Sequence, residues 1–64
     1  MISELDIYRA ANLLIKQHGG KAGIEAVRKA DLMLEHGDHD GQIVWLRIER
    51  AIVELQVPQS GPAH

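Results

Sequence analysis

The chain has 64 residues, of which 45% are apolar and 25% charged, and its formal net charge is −2. This length accommodates one domain. The lack of cysteine excludes disulfide scaffolds and cysteine-based zinc sites, and the mild acidity argues against nucleic acid as the main partner. No apolar run reaches the ~20 residues of a transmembrane helix, and the N-terminus lacks the pattern of a secretion signal, so we expect a cytoplasmic protein.

The small size of the chain raises a question of stability. Below roughly 70–80 residues, one hydrophobic core rarely supplies more than about 3–5 kcal/mol, and small proteins usually need further stabilisation. Disulfides are not possible here, so regular helix packing, a metal ion or oligomerisation must provide it.

The first predicted helix covers residues 3–18. Ser3 is a suitable N-cap, because its hydroxyl can accept a hydrogen bond from the amide of Asp6. His18 is followed by two glycines, which are typical of a helix end. The helix has one apolar face, formed by Ile7, Tyr8, Ala11, Leu14 and Ile15. Leu13 falls on the opposite side.

The second predicted helix covers residues 21–36 and ends at Gly37. Its apolar face consists mainly of small and medium residues: Gly23, Ala26, Val27, Ala30, Met33 and Leu34. Leu32 points away from this face. Asp31 borders it and is the best candidate for an acid–base group. We expect a buried structural carboxylate there, paired with Arg47, His18 or Trp45.

The third predicted helix covers residues 39–57. Asp38 is the favoured N-cap, which places Gly41 in the first turn, where another helix can approach closely. Pro58 ends the helix, and residues 58–64 are expected to form a disordered tail. The core-facing residues are Val44, Trp45, Ile48, Ala51, Ile52 and Leu55. Trp45 is expected to be mostly buried against the other two helices.

This helix also carries a second set of residues on roughly its opposite side, which we call the outer stripe: Ile43, Leu46, Arg50, Val53 and Val57. Its spacing of three and four residues is that of a heptad. Either the helix is sandwiched within a monomer, or the outer stripe contacts another chain. A homodimer is favoured by the small size of the core, and by Leu13 and Leu32, which lie outside the predicted apolar faces. Arg50 is the weak point, because two like charges near a symmetry axis need an acid such as Glu49 or Glu54 of the other chain.

Three segments resemble a family of very short, uncharacterised helical proteins that occur chiefly in alphaproteobacteria. They are YRAANLLIKQHG (8–19), KADLMLEHGD (29–38) and the region 41–55 with its GQIVWLRI and AIVEL sequences. The resemblance implies a small helical fold. It implies no activity, cofactor or catalytic residue.

The sequence offers two candidate ligand sites, one for a metal ion and one for nucleic acid. His36, His39 and Asp40 surround the second turn, but a metal needs three or four converging ligands, and the solvated-turn interpretation is favoured. Lys21, Arg28 and Lys29 lie on the second helix, yet acidic residues alternate with them, so no clean basic face forms for nucleic acid. No phosphate-binding loop, dinucleotide motif or nucleophile elbow is present, and no cofactor or enzymatic activity is expected.

The sequence therefore predicts an all-α protein in which residues 1–57 form a small three-helix bundle, homodimeric through the outer stripe. The function it favours is a non-enzymatic protein–protein interaction or regulatory module that acts through an apolar helical face. One alternative is a small DNA-associated regulator with a helix-turn-helix-like element. A weaker one is a metal-responsive binder.

Overall fold

The computed structural model describes residues 3–57, and the predicted tail at 58–64 lies outside them. Within residues 3–57 the chain is helical and contains no strand, which confirms the all-α prediction. Helix α1 is Glu4–His18, and a 3-10 turn, Gly19–Lys21, leads into α2, which is Ala22–Glu35. Helix α3 is His39–Gln56.

The predicted division into three separate helices is wrong at its first boundary. Gly19 does end α1, but the 3-10 turn follows at once, so the described chain forms two continuous helical stretches. Gly19 has φ 59 and ψ −127, a backbone conformation that only glycine adopts without strain. Because one residue changes the chain direction, no loop is needed between α1 and α2.

Local hydrogen bonds set the other helix ends. The Asp6 amide donates to the Ser3 hydroxyl over 3.2 Å, and the Gly41 amide donates to the Asp38 carboxylate over 2.8 Å, so both predicted N-caps are confirmed. At the end of α2, the Asp38 amide donates to the Met33 carbonyl over 2.8 Å. This Schellman closure requires a residue with positive φ, which is Gly37. Asp38 therefore closes one helix and begins the next.

Helices α2 and α3 form an antiparallel hairpin and share the most extensive helix contact. Three pairs show its course: Gly23 faces Ile52, the Lys29 ammonium lies 5.5 Å from the centre of the Trp45 ring, and Met33 lies beside Gly41. Helix α1 packs against the C-terminal half of α3. There the Tyr8 hydroxyl donates a hydrogen bond to Glu54, and the side-chain Nε2 of Gln56 donates to the Gly19 carbonyl over 2.8 Å.

The core is small and rich in alanine. Its nine buried residues are Ile7, Leu14, Ile48, Ile52, Ala11, Ala22, Ala26, Ala30 and Ala51. Because alanine side chains are short, the helices meet along narrow lines, and larger apolar side chains beside those lines remain in contact with solvent.

This narrow contact overturns several predictions about the core. Val27 and Leu34, expected on the buried face of α2, are exposed. Asp31, about 140° from Ala26 around the helix, is exposed as well, not a buried carboxylate. Trp45 is only partly buried. Leu55 is exposed as well, although it lies only about 20° around α3 from the buried Ile48.

Candidate protein interface

The distribution of large aliphatic side chains is the most unusual feature of the described residues. Only four of them are buried: Ile7, Leu14, Ile48 and Ile52. Eleven are exposed: Leu5, Leu13, Ile24, Val27, Leu32, Leu34, Ile43, Leu46, Val53, Leu55 and Val57. Scattered exposed leucines are ordinary, but a contiguous apolar patch marks an interaction surface. The positions of the eleven therefore matter more than their number.

The outer stripe lies where the sequence predicted, on the surface of α3 that faces away from the core. Leu46 is 42% exposed, and Ile43, Val53 and Val57 are exposed to a similar degree. Arg50 is exposed between them. Helical periodicity places these five side chains on one side of α3, roughly opposite the buried Ile48. Within the described residues, Arg50 lies at the edge nearer α1 and Val53 at the edge nearer α2, and no helix covers the stripe between them.

The apolar surface extends from α3 onto α2 through a shallow groove of about 410 Å³, which we call the α2–α3 groove. Its lining residues are Gly20, Gly23, Ile24, Val27, Glu49, Ile52, Val53 and Gln56. Val53 belongs both to this groove and to the outer stripe, so the two surfaces are continuous. Ile24 is 62% exposed at the edge of the groove.

Sequence reasoning missed the α2 half of this surface. Ile24 belonged to neither predicted face, and Val27 was placed in the core. A signal did exist: Ile24 lies about 160° around α2 from Ala26, too far to share the alanine contact line. Only the position of α3 relative to α2 shows that Ile24 and Val53 line the same groove.

A second concavity, of about 470 Å³, separates α1 from the other side of α3. Glu4, Tyr8, Arg47, Arg50 and Glu54 line it together with Ile7 and Ala51. The hydrogen bond to Glu54 is the main cause that raises the pKa of Tyr8 above its ordinary value of 10.0. All four charged residues here are exposed, so this open cleft differs from the enclosed pockets in which perturbed catalytic groups are found.

The three candidate metal ligands lie around the turn between α2 and α3. His36, His39 and Asp40 are all exposed, and the carboxylate of the neighbouring Asp38 serves as the cap of α3. Among residues 3–57, no three histidine, aspartate or glutamate side chains are close enough together to hold a metal ion.

Two basic residues of α2 each contact one neighbouring side chain. Arg28 lies 3.6 Å from Glu25 in an ion pair, and Lys29 lies over the Trp45 ring. Lys21 is exposed in the 3-10 turn just before α2. The antiparallel course of α2 and α3 along their length also differs from the 90–120° crossing of a helix-turn-helix. Asp31 makes no hydrogen bond or ion pair to another residue within 3–57.

Compared with protein-family models, curated proteins and solved structures, the chain matches none of them. The resemblance to short alphaproteobacterial proteins therefore stays a prediction. Within the described part of the chain, no helix combines the length and apolar character needed to cross a bilayer.

Proposed function

We propose that the protein is a non-enzymatic interaction module that works as a homodimer through the outer stripe of α3. The observation that carries this proposal is the excess of exposed over buried large aliphatic side chains within residues 3–57. In a folded monomer, these side chains would form an apolar surface that is exposed to water. A second chain can cover this surface.

The shape of the chain supports the same proposal. Its radius of gyration is 12.7 Å, whereas a compact domain of this length has a radius of about 10–11 Å. The hairpin of α2 and α3 is covered by α1 on one side, and the α2–α3 groove lies on another. A second chain on the groove side would add the missing packing layer that small helical domains need.

The free energy gained by burying the outer stripe can be compared with the cost of association. Fully burying one exposed aliphatic side chain contributes roughly 1.5–3 kcal/mol. The outer stripe has four in each chain, and each is about half exposed, so a second chain can supply about half of that value for each. Association costs about 4–15 kcal/mol in lost freedom. A standard interface covers about 800 Å² per partner, so the outer stripe needs a contribution from adjacent residues, which the α2–α3 groove can supply.

The biological consequence would be occlusion or bridging by an apolar helical surface, in which one helix face docks against another. A module of this kind acts by the presence or absence of its bound partner, and needs no cofactor. We propose the cytoplasm as its compartment.

The test compares two leucine substitutions. Leu46 in the outer stripe and Leu13 on the far side of α1 are 42% and 54% exposed, so neither supports the monomer core. Light scattering over a concentration series should give the wild type and Leu13→Glu about twice the mass of the 7.1 kDa chain. Leu46→Glu should shift towards single-chain mass, because it buries a charge at the interface.

Circular dichroism of the three proteins should show the same helical content. A wild-type protein with single-chain mass at every concentration would refute the dimer. Equal assembly of Leu46→Glu and wild type would show that the outer stripe is not the interface.

A further inference from the structure

The junction between α1 and α2 turns at a single residue, Gly19. We propose that Gly19 is a hinge at which α1 exchanges between two copies of the chain. With Gly19 in a helical conformation, α1 and α2 form one continuous helix, and each α1 docks on the α2–α3 hairpin of the second copy. This inference does not rest on the outer stripe, because it uses the surface of the hairpin that α1 already covers.

The first step of the argument is the backbone of this junction. Within residues 4–35, Gly19 is the one residue with a positive φ. The helical bonding nevertheless reaches it, because the Gly19 amide donates to the Ile15 carbonyl. His18 before it and Ala22 after it have helical dihedral angles, and the sequence has no proline between residues 4 and 35. A rotation centred on Gly19 therefore brings α1 and α2 into line.

The junction is only loosely held against the rest of the chain. A β-carbon on Gly19 or Gly20 would meet nothing within 4 Å among the described residues. The side-chain Nε2 of Gln56 donates to the Gly19 carbonyl over 2.8 Å, but both residues are exposed, so water can replace this bond at little cost. Opening the hinge thus sacrifices little packing at the hinge itself.

Straightening the junction carries α1 away from its own hairpin. The buried side chains of α1 are Ile7, Ala11 and Leu14, and two of these belong to the four large aliphatic residues of the core. Leaving them in water is unfavourable. The straightened chain therefore needs a second surface that covers the same face of α1.

The hairpin of a second copy is the surface that fits this face. It presents the same core residues of α2 and α3, and the same Glu54 acceptor for Tyr8, as the chain's own hairpin does. Exchange in both directions therefore remakes every contact between α1 and a hairpin, and the two forms differ only at the hinge. Helices α2 and α3 share the most extensive helix contact, so the hairpin stays together as the unit that accepts α1.

Two neighbouring glycines allow a matched test in the Leu46→Glu background, which removes assembly through the outer stripe. Alanine at position 19 is strained at φ 59 and ψ −127 and favours the continuous helix. Alanine at position 20 has the same helix propensity, but Gly20 does not have a positive φ, so the closed turn accepts it. Because the exchanged dimer contains two hinges, its Kd should be at least about tenfold lower for Gly19→Ala than for Gly20→Ala.

Light scattering over a concentration series measures this difference. Gly19→Ala should reach about twice the mass of the 7.1 kDa chain at concentrations where Gly20→Ala still has single-chain mass. Circular dichroism of Gly19→Ala should show at least the helical content of Gly20→Ala, because exchange keeps every helix.

The distance between two spin labels identifies the straightened chain. Leu5 and Leu32 are exposed, and the sequence has no cysteine, so cysteines at these two positions each take one label. In one continuous helix, at ~1.5 Å per residue, the two positions lie about 40 Å apart. In the closed form the distance is much shorter, because α1 folds back beside the hairpin and Tyr8 bonds to Glu54. With an excess of unlabelled copies, the distance of about 40 Å should dominate in Gly19→Ala and be minor in Gly20→Ala.

A second labelling scheme shows where α1 docks. Copies of Gly19→Ala that carry only Leu5→Cys or only Leu32→Cys are labelled, then unfolded and refolded together in a 1:1 mixture. The short distance that the closed form has within one chain should now appear between two chains, after the signals of the two homodimers are subtracted. The same mixture made with Gly20→Ala should lack it.

The outcomes separate this inference from the proposed function. Single-chain mass of Gly19→Ala at every concentration, or a loss of its helical content, would overturn the inference. A dimer of Gly19→Ala without the short distance between chains would overturn it as well. A monomeric wild type refutes the outer-stripe dimer instead, and Gly19→Ala should then double its mass without Leu46→Glu.

Discussion

At the scale of single residues, Tyr8 and Glu54 form the one hydrogen bond between two side chains of α1 and α3 within residues 3–57. The carboxylate acceptor favours the neutral phenol, and the pKa of Tyr8 is raised in the folded protein. A raised folded pKa stabilises the fold at pH values below the unfolded pKa of about 10. That contribution is lost as the pH rises through the folded pKa.

Glu54→Gln should therefore lower the pH at which Tyr8 ionises, because the variant removes the negative charge beside the phenol. Tyr8 is the sole tyrosine, so tyrosinate absorbance during an alkaline titration reports on it alone. Glu35→Gln, a charge-neutralising change at the exposed end of α2, should leave the titration unchanged. Identical titrations of wild type and Glu54→Gln would show that the hydrogen bond is not formed in solution.

At the scale of helices, glycine has two different roles. Gly23 lies in α2 and Gly41 in α3, and helix propensity alone predicts that alanine stabilises either position by about 0.5–1 kcal/mol. A β-carbon on Gly23 would make an ordinary contact with Ile52 at 4.0 Å. A β-carbon on Gly41 would lie 2.7 Å from the Asp38 carboxylate and 3.0 Å from the Met33 sulfur.

We expect Gly23→Ala to stabilise the fold by about 0.5–1 kcal/mol, and Gly41→Ala to destabilise it. The second change displaces the Asp38 cap, whose loss costs about 1 kcal/mol, and crowds Met33 as well. Urea unfolding should be measured in the Leu46→Glu background, so that dimerisation does not contribute. Equal effects of the two substitutions would mean that the α3 cap tolerates a side chain at position 41.

At the scale of the whole molecule, folding and assembly should be linked. The buried core of the described residues has only four large aliphatic side chains, so a second chain that binds the folded state should stabilise it by mass action. The melting temperature of the wild type should therefore rise with protein concentration.

Leu46→Glu should show a lower melting temperature with no dependence on concentration. Differential scanning calorimetry at concentrations spanning two orders of magnitude provides the measurement, and Leu13→Glu provides the matched control. A wild-type melting temperature that is independent of concentration would indicate that the monomer accounts for all the stability.

The sequence alone determined the features of this protein that depend on residues close together along the chain. The Ser3 and Asp38 caps and the closure at Gly37 join residues three to five apart, so residue type and spacing suffice to predict them. The exposed outer stripe of α3 also followed from periodicity, because a helix has the same 3.6-residue repeat in any context.

Only the tertiary structure decided which apolar side chains are covered. Val27, Leu34 and Leu55 are apolar and lie at positions predicted for the core, yet all three are exposed in the folded chain. The α2–α3 groove, which Gly23 lines, arises where two helices meet. Burial and surface shape depend on which helices approach and how closely, and the periodicity of a single helix contains no information about its neighbours.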